Sequence, residues 1–158
     1  MKNAIGIETH LADELVGRLN DLLANYMLFY QNSRGFHWNI RGEKFFELHL
    51  KFEELYTNLL VKVDEIAERV LTLGGTPLHT FTGYTAASDI KAAQNVSDAN
   101  ECIRLILDAF QIVILKQREL LELSAKAGDE GTNSLMSDYI REQEKLVWMY
   151  HAYLSKPS

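Results

Sequence analysis

Hydrophobic positions along the first half of the chain recur three and four residues apart, with polar residues between them. This spacing places apolar side chains on one face of an α-helix. The first series runs from Leu11 to Tyr30, and the second begins after Gly42 and ends at a Gly-Gly-Thr-Pro stop signal at 74–77. We therefore predict two helices, of which the second is about 30 residues long.

Two further helices are predicted in the second half of the chain. Ser97 or Asp98 has the side chain needed to cap a helix whose apolar face extends from Ile103 to Leu121. Gly128 and Gly131 are then expected to interrupt the chain. Another apolar series follows, so the pattern indicates four long helices.

The lengths of the connections predict how these helices are arranged. The last apolar series runs from Leu135 to Tyr153, and residues 74–97 form a long connection with one short helical segment near Ala86–Ala93. Two short connections and one long one are typical of a ferritin-like four-helix bundle with a crossover. About 22 extended residues reach ~70 Å, whereas a helix of about 30 residues spans ~45 Å. We predict a single all-α domain over residues 1–158, whose crossover traverses the bundle.

Composition restricts the class of protein further. The chain has 158 residues, of which 47% are hydrophobic, and this is enough for one well-buried core. It has a single cysteine, no signal-peptide pattern and no apolar run long enough to cross a membrane, so we expect a cytoplasmic protein. The net charge of −6 argues against a broad nucleic-acid-binding surface and is compatible with the attraction of cations.

The second predicted helix carries two pairs of potential metal ligands. His49 and Glu53 are four residues apart, and so are Asp64 and Glu68, so the members of each pair project from the same face of the helix. The nearest members of the two pairs, Glu53 and Asp64, are separated by ~16 Å along a straight helix. A metal ion cannot bridge that distance.

A second copy of the chain would bring the two pairs together. If two copies of this helix pack antiparallel across a two-fold axis, the His49 end of one meets the Asp64 end of the other, and two equivalent sites form. His37 lies just before the turn into this helix and belongs to the His49 end. We predict that His37 and His49 form half of a site whose carboxylates come from a neighbouring subunit.

A metal site inside one chain is the alternative. Di-iron sites in four-helix bundles use Glu-x-x-His on two helices, and this sequence contains neither Glu-x-x-His nor His-Glu-x-x-His. Imidazole and carboxylate ligands suit Fe(II), Zn(II) or Mn(II), and the lack of thiolate pairs argues against an iron–sulfur cluster. An intersubunit iron site is the interpretation that remains.

Two ordered motifs in the chain resemble the paired signatures of the Dps family, mini-ferritins named for DNA protection in starved bacterial cells. The motifs are His37-Trp38-x-x-Arg41-Gly42-x-x-Phe45-x-x-Leu48-His49, then Val63-Asp64-x-x-Ala67-Glu68-Arg69 with Leu73-Gly74. Gly128-Asp129 and the region around Trp148 are also similar to the family, so the similarity covers nearly the whole chain.

This resemblance implies an activity. The chain would assemble into a hollow dodecamer that oxidises Fe(II), preferentially with hydrogen peroxide, at two-fold interfaces and stores ferric mineral inside. Carried over by position, His37 and His49 come from one subunit and Asp64 and Glu68 from its mate. Trp38 is similar to the tryptophan beside the family's site, although an interface anchor is the other interpretation of an aromatic residue there.

Three acidic residues complete the prediction. The family usually has Asp where this chain has Glu53, and the extra methylene bears on how a second iron is held. Asp129 and Asp138, near the start of the last helix, are candidates for an acidic entry pore that concentrates cations. Ordinary helix-start and surface roles are the alternative for these two.

Two other functions compete with iron oxidation. A non-specific DNA-binding nucleoid protein would use clustered Lys and Arg, but the ends of this chain carry only Lys2 and Lys156, so we expect no strong DNA binding. A helical interaction module without metal would lose nothing but stability on replacement of His37 and Asp64.

Overall fold

The computed structural model describes residues 1–157, and this part of the chain forms five helices and no strand. The only extended pairing among the described residues is one isolated bridge between Lys2 and Glu8. The helices are α1 (Thr9–Asn39), α2 (Phe45–Thr72), α3 (Phe81–Ala87), α4 (Ala99–Ala127) and α5 (Glu130–Leu154). The predicted all-α bundle, with four long helices and a long crossover that carries a short helix, is confirmed. No described helix has the length and apolar character needed to cross a membrane.

The core lies between the four long helices. α1 packs mainly against α2 and α4, and α4 packs against α5. Large side chains from three helices meet at the centre: the Phe29 and Phe110 rings are 4.9 Å apart in an edge-to-face arrangement, and Phe52 is fully buried. The apolar stripes that predicted these helices are therefore the faces that they bury.

α1 extends nine residues beyond the last position of its predicted apolar series, Tyr30, and ends at Asn39. The added turns include Ser33, Gly35 and Asn39, which are weak helix formers. They remain helical because Phe36 and Ser33 are buried in the bundle, and packing outweighs intrinsic propensity. This extension places His37 and Trp38 in the last turns of α1.

The short helix of the crossover lies earlier than predicted, at Phe81–Ala87 rather than near Ala86–Ala93. Thr80 caps its start by accepting a hydrogen bond from the Gly83 backbone. Ser88 then leaves the helix, because its hydroxyl donates to the buried side-chain oxygen of Asn25 on α1. The contact between Ser88 and Asn25 therefore sets the end of α3, which the spacing of residues along the chain did not predict.

Three asparagines of α1 hold the crossover against the bundle. Asn20 donates to the Thr76 carbonyl and accepts from Leu78, while Asn32 donates to the Lys91 carbonyl and accepts from Ala93. Between them, the Asn25 oxygen accepts from Ser88 and from the backbone of residues 89 and 90. Each asparagine satisfies backbone groups that no helix or sheet can pair.

The boundary between α4 and α5 is sharper than predicted. Asp98 caps the start of α4 by accepting from the Glu101 backbone, and Gly128 ends that helix in the left-handed conformation at φ 69°. Gly131 does not interrupt the chain, contrary to the prediction, because α5 already begins at Glu130 and Asp129 caps it. The turn between the two helices is therefore only two residues long, Gly128 and Asp129.

An ion pair ties the end of α2 to the start of α5. The Arg69 guanidinium lies 2.6 Å from a carboxylate oxygen of Asp129 and also donates to the Thr132 hydroxyl. Asp129 is buried, so this partner is needed to offset the loss of its hydration. A Cβ placed on Gly131 would lie 2.8 Å from both terminal nitrogens of Arg69, so the guanidinium occupies the space that a side chain would take.

Gly131→Ala is expected to lower the free energy of unfolding by about 1 to 2 kcal/mol, because the new methyl group displaces Arg69 from Asp129 and outweighs the gain in helix propensity. Thermal unfolding of the protein measures this change. Gly17→Ala is the matched control: Gly17 lies in α1, and a Cβ there meets nothing within 4 Å. That control should stabilise the protein by about 0.5 to 1 kcal/mol. Equal midpoints for the Gly131→Ala variant and the native protein would contradict the role given to Arg69.

Candidate metal centre

The two histidines of the predicted site are locked against each other at the junction of α1 and α2. His37 lies in the last turn of α1 and His49 near the start of α2. Their imidazole rings stack with centroids 3.8 Å apart and planes 14° apart. Nδ1 of His37 lies 2.6 Å from the carbonyl oxygen of His49, and Nδ1 of His49 lies 2.7 Å from the carbonyl oxygen of His37.

These reciprocal contacts determine the tautomer of both rings. A carbonyl oxygen only accepts hydrogen bonds, so each Nδ1 carries a proton and donates it. In a neutral imidazole this leaves the lone pair on Nε2, the usual arrangement for a histidine that binds a metal ion. His37 and His49 thus each present one free Nε2 with an orientation set by the backbone of the other helix.

Glu53 lies beside this pair in the same protomer. One of its carboxylate oxygens is 3.8 Å from Nε2 of His37, and about half of its side chain, 51%, is exposed. Glu53 is also one helical turn beyond His49 on α2. The structure therefore brings the three predicted ligands His37, His49 and Glu53 near one another, two nitrogen donors and one half-exposed carboxylate.

The remaining predicted ligands, Asp64 and Glu68, lie farther along α2 and are exposed. Their neighbour Glu65 points differently and accepts a hydrogen bond of 2.8 Å from the Tyr139 hydroxyl. Among residues 1–157 of one protomer, no group of three or more His, Cys, Asp or Glu side chains is arranged to hold a metal ion. One protomer thus carries both halves of the predicted site, but the two halves lie apart and do not form one site.

The carboxylates of the two halves, Glu53, Asp64 and Glu68, lie on a single exposed face of α2, which we call the α2 face. An α-helix turns by 100° per residue, so residues three or four positions apart lie on the same face. Besides Glu53, Asp64 and Glu68, the α2 face presents large apolar side chains to solvent. These are Phe46, Leu50, Leu60, Val61 and Leu71, of which Phe46 is 85% exposed. An exposed apolar surface of this kind marks an interaction site.

An aromatic cluster borders the histidines and was only partly foreseen. Trp38 is exposed, and the Arg34 guanidinium lies over its ring at 5.1 Å from the centroid. The same guanidinium lies 4.9 Å from the Tyr56 centroid and 5.7 Å from that of Tyr30. Tyr56 in turn contacts His37, with ring centroids 5.3 Å apart. The sequence signal for this cluster was the four-residue spacing of Tyr30, Arg34 and Trp38, which stacks them on one side of α1.

The two candidate pore residues have different surroundings. Both carboxylate oxygens of Asp129 are engaged within the protomer, by Arg69 and by the hydroxyl and backbone of Thr132. Asp138 is exposed and pairs with Arg141 at 3.0 Å. In this structure Asp129 works as the cap of α5, and a role in a pore stays a prediction for both residues.

Comparisons with known proteins agree with this architecture. The sequence model of the ferritin-like domain family matches residues 16–158. A crystal structure of a Dps protein from Vibrio cholerae O1, described as a member of a broad superfamily of ferritin-like diiron-carboxylate proteins, is 53% identical. It superposes with a TM-score of 0.96 over 98% of this chain and 97% of that one.

Two more distant relatives show the same similarity over nearly their full lengths. The DNA protection during starvation protein of Porphyromonas gingivalis is 41% identical over 96% of this chain and 95% of its own length. The crystal structure of a Dps protein from Bacillus brevis is 33% identical, with a TM-score of 0.90 over 94% of this chain and 99% of that one.

Proposed function

The chain belongs to the ferritin-like family and, within it, to the Dps proteins, and from this premise we propose that it is a mini-ferritin that oxidises Fe(II) and stores the ferric product. The observation that carries the proposal is the reciprocally hydrogen-bonded pair His37 and His49, with Nε2 of His37 3.8 Å from a carboxylate oxygen of Glu53. Fe(II) is the substrate, and this mixture of nitrogen and oxygen ligands suits it.

The α2 face supports an intersubunit site. In an antiparallel pair of α2 helices whose two-fold axis passes near residue 58 or 59, about the midpoint of Glu53 and Asp64, position i faces position 117 − i. His49 of one protomer would then face Glu68 of its mate, and Glu53 would face Asp64. The same register sets Phe46 opposite Leu71, so one arrangement would complete the site and bury the exposed apolar residues.

The chemistry proposed for this site requires two Fe(II) ions per peroxide. Each ion gives up one electron, so two Fe(II), one hydrogen peroxide and two protons yield two Fe(III) and two water molecules. The paired transfer avoids the release of a hydroxyl radical. The protein would hold the metal ions in place. His37 and His49 would supply two nitrogen ligands, and the carboxylates of Glu53, Asp64 and Glu68 would offset the charge of the metal ions.

The wider properties of the protein follow from family membership and are proposals. We propose a hollow dodecamer with its sites at the two-fold interfaces, a bacterial cytoplasmic location, and Asp138 rather than Asp129 as the better candidate for an iron entry path. Protection of DNA would be indirect, through the removal of Fe(II) and peroxide together. A high density of negative charge, −6 per chain, favours cation uptake over contact with DNA phosphates.

Rapid oxidation of Fe(II) with a ratio of about two Fe(II) per hydrogen peroxide is the expected result of mixing the oligomer with both reagents without oxygen. Stopped-flow absorbance gives the rate, a peroxide electrode gives the ratio, and a spin trap reports hydroxyl radical. Air-saturated buffer in place of peroxide should give a slower reaction. A ratio near one with abundant trapped radical would mean that Fe(II) reacts free in solution and would contradict the proposal.

A further inference from the structure

The Arg34 guanidinium is the centre of the aromatic cluster next to the proposed iron site. It lies over three rings at once, those of Trp38, Tyr56 and Tyr30, at centroid distances of 5.1, 4.9 and 5.7 Å. One of its terminal nitrogens also donates a hydrogen bond of 2.7 Å to the Tyr30 hydroxyl. Tyr30 and Tyr56 contact each other edge to face with centroids 6.0 Å apart.

A permanent positive charge in this position acts on the redox chemistry of the rings. An intact ring attracts the cation through its electron-rich face. A ring that has lost an electron is positively charged and is repelled by the same cation at the same distance. Arginine stays charged at any physiological pH. Removal of an electron from Trp38 or Tyr56 is therefore harder with Arg34 in place than without it.

Tyr30 is protected in a second way. Oxidation of a tyrosine to a neutral radical releases its phenolic proton along with the electron. The group that faces the Tyr30 oxygen is the Arg34 N–H, which donates and cannot accept a proton. Arg34 therefore cannot accept the phenolic proton of Tyr30, so the coupled loss of that proton and an electron is disfavoured.

We propose that the positive charge of Arg34 protects Trp38, Tyr56 and Tyr30 from oxidation beside the iron site. The need for this protection rests on the proposed function, because Fe(II) and peroxide would supply the oxidant next to His37, whose ring contacts Tyr56. Each unwanted step would take one electron from a ring and pass it to the oxidant, which would be reduced. By blocking this route, Arg34 leaves Fe(II) as the electron donor.

The chain contains an internal reference for this effect. It has two tryptophans, Trp38 and Trp148, which are 58% and 66% exposed in the protomer. Arg34 lies over Trp38, whereas no Lys or Arg of the described residues lies over Trp148. The ratio of oxidation at Trp38 to oxidation at Trp148 therefore reports on the guanidinium, and comparing variants of one assembly cancels differences in accessibility.

The test uses an oxidant that needs no iron. The assembled, metal-free protein is illuminated with tris(bipyridine)ruthenium(II) and persulfate, which generates a one-electron oxidant, and the oxidised tryptophans and tyrosines are quantified by peptide mass spectrometry at low conversion. Arg34→Gln should raise the Trp38-to-Trp148 ratio about fivefold. Arg34→Lys keeps the charge and should raise it less than twofold, about the same small change as Tyr30→Phe, which removes only the hydrogen bond.

Several outcomes would overturn the inference. One is an Arg34→Gln ratio equal to that of the native protein, and another is an Arg34→Lys ratio as high as that of Arg34→Gln, since the charge would then be irrelevant. Circular dichroism and size-exclusion chromatography establish that each variant folds and assembles. Because no iron is present, a failure of the proposed iron oxidation would leave this result unaffected, and the two proposals can fail separately.

Discussion

Oligomers built only from His37→Ala subunits, or only from Asp64→Ala subunits, are expected to oxidise Fe(II) about 100-fold more slowly than the native protein, since each lacks a ligand at every site. Oligomers that contain both kinds of subunit in equal amounts should regain about a quarter of the native activity. This recovery is expected because the proposed site takes its histidines from one subunit and Asp64 and Glu68 from the mate. Half of the subunits have an intact His37 and the other half have an intact Asp64, so about one site in four receives both.

The experiment is done by co-expression of the two variants with different affinity tags and purification through both. Initial rates with hydrogen peroxide are compared with those of the single-variant oligomers at equal subunit concentration. His10→Ala co-assembled with Asp13→Ala is the matched control, because both residues are exposed at the start of α1, and it should keep the native rate. Mixed oligomers no more active than the single variants would mean that each site is built within one subunit.

Gln117→Leu is expected to lower the free energy of unfolding by about 2 to 4 kcal/mol. Gln117 belongs to a closed ring of hydrogen bonds in the centre of the bundle. The Tyr26 hydroxyl donates to the Gln117 oxygen, the Gln117 amide donates to the Gln143 oxygen at 2.7 Å, and the Gln143 amide donates to Tyr26 at 2.6 Å. All three side chains are fully or almost fully buried.

The cost of this change is the loss of partners for the groups left behind. Leucine has roughly the volume of glutamine, but it leaves the Tyr26 hydroxyl proton without an acceptor and the Gln143 oxygen without a donor. Buried polar groups without hydrogen-bond partners lower the stability of the fold. In the native protein no buried side-chain nitrogen or oxygen of the described residues lacks a hydrogen-bond partner. Burial already raises the pKa of Tyr26 well above its ordinary value, so the phenol cannot adapt by ionising.

Urea denaturation of the assembled protein measures the effect, with Gln111→Leu as the control. Gln111 is exposed on the same helix, α4, and its replacement should change the stability by no more than about 0.5 kcal/mol. The triple variant Tyr26→Phe/Gln117→Leu/Gln143→Leu should recover part of the loss, because no polar group is then stranded. A Gln117→Leu variant as stable as the control would show that the ring contributes nothing to folding.

The candidate site shows how far residue patterns alone can lead. Spacing placed His49 one helical turn from Glu53 and well away from Asp64 and Glu68, because all four lie on α2 and a helix has a fixed rise and a fixed angle per residue. The same spacing could not show that His37 and His49 lock each other's tautomers, because that depends on the approach of two backbones twelve residues apart in sequence. The four-residue spacing of Tyr30, Arg34 and Trp38 could not show either that Tyr56 of another helix joins them.

The sequence by itself determined the number of long helices, their buried faces, the long crossover and the candidate ligands that share a helix. These properties are periodic or local, since apolar spacing follows from the geometry of the helix and caps act within one turn. Only the tertiary structure decided the end of α1 at Asn39, the place of the short helix and the capping role of Asp129. Each of these depends on contacts between distant segments, with Asn25, Arg69 or the core, and such contacts have no period along the chain.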